Sequence, residues 1–161
     1  MRTVLVVLVI LISAVLTFGH RPSVKQPFEI RISAESQSVK VGSSAMISVR
    51  LTNNSNRSLD LSGTFYDLTG QDSNFIFEVR DQRGRMVAKR TYPHAELAGG
   101  KAILGRVVNP GGTLTENQDV ARIYDMTRPG KYTVQVSRPV SFTDKNAQVV
   151  KSNEITITVI R

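Results

Sequence analysis

Pro129-Gly130-Lys131-Tyr132-Thr133-Val134-Gln135-Val136 decides the fold. Proline presets φ and glycine tolerates backbone that other residues avoid, so the pair signals a turn. The turn runs straight into an alternating segment in which Tyr132, Val134 and Val136 share one face. A tyrosine at such an entrance suits a corner that buries the ring and bonds the hydroxyl to upstream backbone. The expected acceptor lies near Asp125 to Thr127, and Tyr132 is expected to be structural.

The same period recurs on both sides of this stretch. Phe28, Ile30 and Ile32 alternate with Glu29, Arg31 and Ser33, and Val39-Lys40-Val41-Gly42 then turns. Ile47, Val49 and Leu51 alternate with polar residues until Asn53-Asn54-Ser55-Asn56 ends the strand. A weaker strand is expected near Leu59 to Phe65. Phe75, Phe77 and Val79 share a face, Asp81-Gln82-Arg83-Gly84 turns, and Arg85 to Thr91 is expected to return as a hairpin strand. Ile155, Ile157 and Val159 close the chain with Thr156 and Thr158 on the other side. No amphipathic helix is legible after the N-terminal apolar run. Short strands with one apolar face each predict an all-β fold, an immunoglobulin-like antiparallel β-sandwich of about seven strands. Phe28, Ile30, Ile47, Val49, Leu51, Phe77, Val79, Val134, Val136, Ile155 and Ile157 are expected to share its core.

The N-terminus sets an expected compartment. Arg2 precedes an apolar run from Val4 to Leu16, and Thr17-Phe18-Gly19 offers small residues for cleavage after Gly19. This is the anatomy of a signal peptide over 1–19, leaving one domain over 20–161. A spanning helix wants about 20 apolar residues, and this run stops at His20-Arg21-Pro22. An uncleaved anchor is the alternative, and membrane contact is expected only in that case. The expected location is secreted, periplasmic or at the cell envelope. There is no cysteine, which rules out disulfides, thiolate metal sites and thiol nucleophiles. The formal charge of +8 favours anionic surroundings.

Catalytic chemistry finds little footing. His94 is the one histidine besides His20, and Glu96 stands near it. Metal sites need three or four ligands with a supporting shell, and no third is signalled. No serine sits in a G-x-S-x-G elbow, and no phosphate-cradling glycine loop opens a helix. The expectation is a non-enzyme without cofactor or metal. Basic residues cluster at the central hairpin as Arg80, Arg83, Arg85, Lys89 and Arg90. Together with Tyr92 and His94 they are the candidate partner-binding residues, the partner being a protein or an anionic envelope polymer. Edge-strand protection by charge is the competing explanation. Aromatics do not interleave with these cations as a stacking platform would, so nucleic acid is not expected.

Two connections are long. Residues 92–112 are rich in glycine and proline, with a short strand expected through Ala102 to Val108. The second runs over 137–151 and carries Arg138, Asp144 and Lys145. Long connections often carry function. Asn53-Asn54-Ser55 and Asn56-Arg57-Ser58 both fit the glycosylation pattern and are read first as loop residues.

Four motifs carry a family resemblance. They are Val49-Arg50-Leu51-Thr52-Asn53-Asn54-Ser55, the hairpin Phe77-Glu78-Val79-Arg80-Asp81-Gln82-Arg83-Gly84-Arg85-Met86-Val87, the step Asn109-Pro110-Gly111-Gly112-Thr113-Leu114, and Pro129-Gly130-Lys131-Tyr132. In these the chain resembles the bacterial immunoglobulin-like domains of the intracellular proteinase inhibitor (BsuPI-type) family. The resemblance implies the sandwich fold and identifies no reactive residue. The expected function is an exported, non-enzymatic binding module. The alternative is a proteinase-inhibitor-like domain acting through the 92–112 connection.

Overall fold

The computed structural model describes residues 26–61, 75–90, 106–141 and 146–161, and the backbone of 65–66 and 72–73. The expected signal peptide lies outside the described residues. The fold is all-β. Its strands are β1 (Phe28–Ala34), β2 (Ser38–Lys40), β3 (Met46–Asn53), β4 (Leu59–Asp60), β5 (Phe65–Tyr66), β6 (Asp72–Ser73), β7 (Ile76–Asp81), β8 (Val107–Val108), β9 (Thr113–Asp119), β10 (Gly130–Pro139), β11 (Val149–Lys151) and β12 (Ile155–Ile160). Among the described residues one four-residue helix, α1 (Val120–Ile123), interrupts them.

Two sheets carry the architecture. One has the order β1-β3-β9 and is antiparallel throughout. In the other, β10 is central, with β7 on one side and, along the other, both β12 and β11 pairing directly with it, and β2 lies beyond β12. Alternation sets the register. Ile30 stands opposite Leu51 and Ile32 opposite Val49, while Val134 stands between Val79 and Ile155. A one-residue slip in any of these pairs would turn the apolar set to solvent. The inward residues of both sheets form one cluster, with Ile155 partly buried against it. Burying each large aliphatic side chain contributes about 1.5–3 kcal/mol.

The chain changes sheets early. β1 pairs with β3, but β2, four residues on, pairs in parallel with β12. The last strand is bent. Ser137 stands opposite Lys151 and Val134 opposite Ile155, so residues 152–154 face only 135–136. This is a bulge with one extra residue. The buried Ser152 hydroxyl accepts from the Val136 N–H at 3.0 Å, and its own N–H reaches the Val136 carbonyl at 2.8 Å. The bulge turns Asn153 toward the outer edge of β1. There its amide accepts from the Ile32 N–H at 2.9 Å and donates to the Ile32 carbonyl at 3.0 Å.

Asn53 is a fully buried hub at the end of β3, with 0% exposure. Its side-chain N–H groups donate to the carbonyls of Arg57 and Val108, both at 2.8 Å. Its side-chain oxygen accepts from the Ser55 N–H at 2.9 Å and the Ser55 hydroxyl at 2.7 Å. The amide of the first glycosylation pattern is thus consumed inside the fold, while Asn56 is exposed.

Several expectations need correction. Residues 85–90 do not return as a strand; they touch the sheet through the single bridge Arg80–Met86 and then cross to Tyr124. The 137–151 connection is shorter, because β10 runs to Pro139 and β11 begins at Val149. Arg138 is therefore a strand residue, 3% exposed. Burial pushes its pKa down to about 10, against the attraction of Glu116, so it stays charged at neutral pH. The polar strand β9 and the helix α1 escaped the apolar alternation altogether. Leu59 to Phe65 holds β4 and β5, with 62–64 outside the described residues, and β4 pairs with β8.

Candidate functional site

The turn after β7 is built by one carboxylate. Asp81 Oδ1 accepts the backbone N–H groups of Arg83 and Arg85 at 2.8 and 3.0 Å. Asp81 Oδ2 takes Nε and Nη2 of Arg85 at 3.0 and 2.8 Å. The Arg85 hydrogen bonds hold the Asp81 pKa below its ordinary value, against a smaller desolvation effect. Gly84 fits here because φ is +75°, a conformation that β-carbons disfavour.

Beyond the turn the chain forms an arm over 85–90. The Val87 N–H bonds to the Val79 carbonyl at 2.8 Å. The arm then leaves β7 for the segment that follows α1. The Ala88 carbonyl accepts from the Asp125 N–H at 3.0 Å, and the Arg90 N–H donates to the Ile123 carbonyl at 2.8 Å. Asp119 caps α1, accepting from the Ala121 N–H at 3.1 Å.

The opposite wall is the corner before β10. The Tyr132 hydroxyl donates to the Arg128 carbonyl at 2.8 Å, and the residue is 5% exposed. The acceptor lies one residue past the Asp125–Thr127 stretch. Burial is the main reason the phenol pKa is raised. Asp125 accepts from the Thr127 hydroxyl at 2.6 Å, the main reason its pKa is lowered. A second tyrosine anchors the same region. Tyr124 is 1% exposed, and its hydroxyl donates to the Phe77 carbonyl at 2.6 Å.

Arm and corner pair at 88–90 and 123–125, then diverge. Between them opens a groove of about 450 Å³. Tyr132 lies at its base; Arg83, Arg85, Met86, Val87 and Ala88 line one wall, and Arg128, Pro129, Gly130 and Lys131 the other. Gly130 has φ of +154°, and a β-carbon there would stand 3.4 Å from Gln82 Oε1. The groove's two carboxylates, Asp81 and Asp125, are already engaged within their own turns. Arg83, Arg128 and Lys131 are exposed and make no ion pair among the described residues.

The candidate cations are not one cluster. Arg80 bonds to Glu78 and to the Gly84 carbonyl, both at 3.2 Å. Arg85 is held by Asp81. Lys89 Nζ sits 5.9 Å from the Tyr124 ring centroid, and Arg90 Nε donates to the Tyr124 carbonyl at 3.2 Å. Arg83 alone of the five reaches the groove without an ion-pair partner among the described residues. Tyr92, His94 and most of the 92–112 connection lie outside the described residues. Arg128 and Lys131 were missed in the sequence, although they flank the Pro-Gly pair that decided the fold. Among the described residues no three potential metal-ligating side chains come together, and no helix is long and apolar enough to cross a membrane.

No family model and no curated protein matches the chain. Solved structures similar to it include the Pseudomonas fluorescens alkylpurine DNA glycosylase AlkC bound to DNA containing an abasic site analog. That match has a TM-score of 0.42 at 11% identity and covers 83% of this chain but 30% of the glycosylase. The CARDB domain of PF1109 from Pyrococcus furiosus has a TM-score of 0.38 at 14% identity, covering 83% of this chain and 94% of that domain. Both likenesses lie below a TM-score of 0.5.

Proposed function

We propose that this chain is an exported, non-enzymatic binding module with an immunoglobulin-like β-sandwich, akin to the BsuPI-type domains, and that it holds an anionic partner at the cell envelope. The groove between arm and corner carries the reading. Its carboxylates are spent inside their own turns, and three exposed cations without an ion pair among the described residues line it. The sandwich is supported by the shared core of the two sheets, by the early switch of the chain between them, and by the Tyr132 corner. Export is supported by the apolar run before Gly19.

Capture from an envelope extract tests the binding function. The parent protein is expected to retain a partner at low salt and release it as salt rises, because exposed charges are screened over about 10 Å at 0.1 M. Arg83→Glu with Lys131→Glu is expected to abolish capture. Equal capture by that variant overturns the reading. Intact-mass measurement tests export, the expected form lacking residues 1–19.

A further inference from the structure

The groove offers backbone as well as charge. In an extended chain successive N–H and C=O groups point to opposite sides. The Arg85 carbonyl and the Val87 N–H both bond back to β7, the first accepting from the Asp81 N–H at 2.9 Å. The main-chain groups of Met86 therefore face the other way. Met86 lines the groove, and neither its N–H nor its carbonyl makes a hydrogen bond within the described residues. Two residues on, the same side of the arm is already paired, at Ala88 with Asp125. The groove is thus a place where two paired segments part and leave a strand position open between them.

The side chains narrow the occupant further. Met86 is 53% exposed, and Val87, Ala88 and Pro129 add apolar surface. Arg83 comes from one wall, and Arg128 and Lys131 from the other. A polymer that is anionic along its whole length would leave Met86 and Pro129 unused, and a carbohydrate or phosphate chain has no peptide groups to pair with Met86. An extended peptide alternating acidic and apolar residues satisfies all three features. Strand addition of this kind draws affinity from main-chain bonds and specificity from alternate side chains.

The geometry points to strand addition: the groove binds an acidic, extended peptide segment of another protein, which pairs with the Met86 backbone and sets carboxylates against Arg83, Arg128 and Lys131. This rests on the groove being the binding surface proposed above. The volume, about 450 Å³, lies in the range of roughly 300–1,000 Å³ usual for ligand sites and holds a few side chains.

The test uses the full chain and two probes, a labelled short peptide alternating glutamate with valine and an inorganic polyphosphate. The peptide is expected to bind at low salt, with at least about a tenfold loss of affinity in the variant carrying Arg83→Glu, Arg128→Glu and Lys131→Glu. Hydrogen exchange at the Met86 amide is expected to slow when the peptide is added and to stay unchanged with polyphosphate. Met86→Pro removes that N–H and is expected to weaken the peptide alone, with an unchanged urea midpoint reporting an intact fold. Polyphosphate binding as tightly as the peptide, with Met86 unprotected, overturns the peptide while leaving an anion-binding groove. Failure of both probes to bind overturns the groove itself.

Discussion

The side-chain amide of Asn153 hydrogen-bonds to both main-chain groups of Ile32, as a neighbouring strand would. One residue of the second sheet thereby closes part of the outer edge of the first. Bulges often re-aim a side chain in this way, and here the bulge over 152–154 supplies the extra residue. Unpaired strand edges invite pairing with other chains.

Asn153→Ala is expected to cost about 1–2 kcal/mol, since two hydrogen bonds are lost. The Ile32 amide should lose hydrogen-exchange protection more than its neighbours in β1. Asn153→Asp keeps the acceptor for the Ile32 N–H and should keep that protection, with the denaturation midpoint between parent and alanine variant.

The two buried tyrosines should separate in a phenylalanine series. Tyr132→Phe removes one bond to the Arg128 carbonyl at the groove's rim and is expected to cost about 1 kcal/mol. It should also weaken peptide binding, because that bond fixes the loop bearing Arg128 and Lys131. Tyr124→Phe strands the buried carbonyl of Phe77 and is expected to cost about 1–3 kcal/mol. Urea midpoints measured side by side check the order.

Acid should loosen the groove from both walls. Asp81 and Asp125 have pKa values lowered in the folded state. Their contributions to stability are present above the ordinary aspartate value near 4 and are lost as pH falls through the folded values. Stability below about pH 4 should therefore fall less steeply in Asp81→Asn than in the parent. Urea midpoints across the acid range measure this slope.

Asn53→Asp should be far worse than its size suggests. The new carboxylate would face the carbonyls of Arg57 and Val108, where the amide now donates. A buried, unpaired charge raises its own pKa, so the variant should lose stability relative to the parent as pH rises from 4 to 7. Asn53→Ala removes both amide donor bonds and the acceptor for Ser55 and is expected to cost about 3 kcal/mol, without that pH dependence. The difference between the two variants across pH is the measurement.

Alternation exposed the core strands because one face of each meets the same interior. The Pro129–Tyr132 stretch likewise announced its own corner. β9 gave no such signal: its sequence is Thr-Leu-Thr-Glu-Asn-Gln-Asp, polar on both faces except at Leu114. It is set instead by pairing with β3 after the Gly111-Gly112 turn. The site was legible only in part. A run of cations shows charge but not its partners, and Glu78, Asp81 and Tyr124 engage four of the five candidates. Arg128 and Lys131 join Arg83 only because Tyr132 pairs beside Asp81, a long-range register that no local window contains. Asn53 read as loop chemistry because its partners Val108 and Gly112 lie more than fifty residues away.

The parallel pairing of β2 with β12 has a mechanical consequence. The Thr158 N–H bonds to the Gln37 carbonyl and the Val41 N–H to the Ile160 carbonyl, both at 2.8 Å. Because these strands run the same way, tension between the segment before β1 and the end of β12 pulls them lengthwise past each other. Their bonds then share the load in shear instead of opening one at a time like a zipper. Under such tension the lifetime of the fold would follow an unfolding rate, not an equilibrium stability.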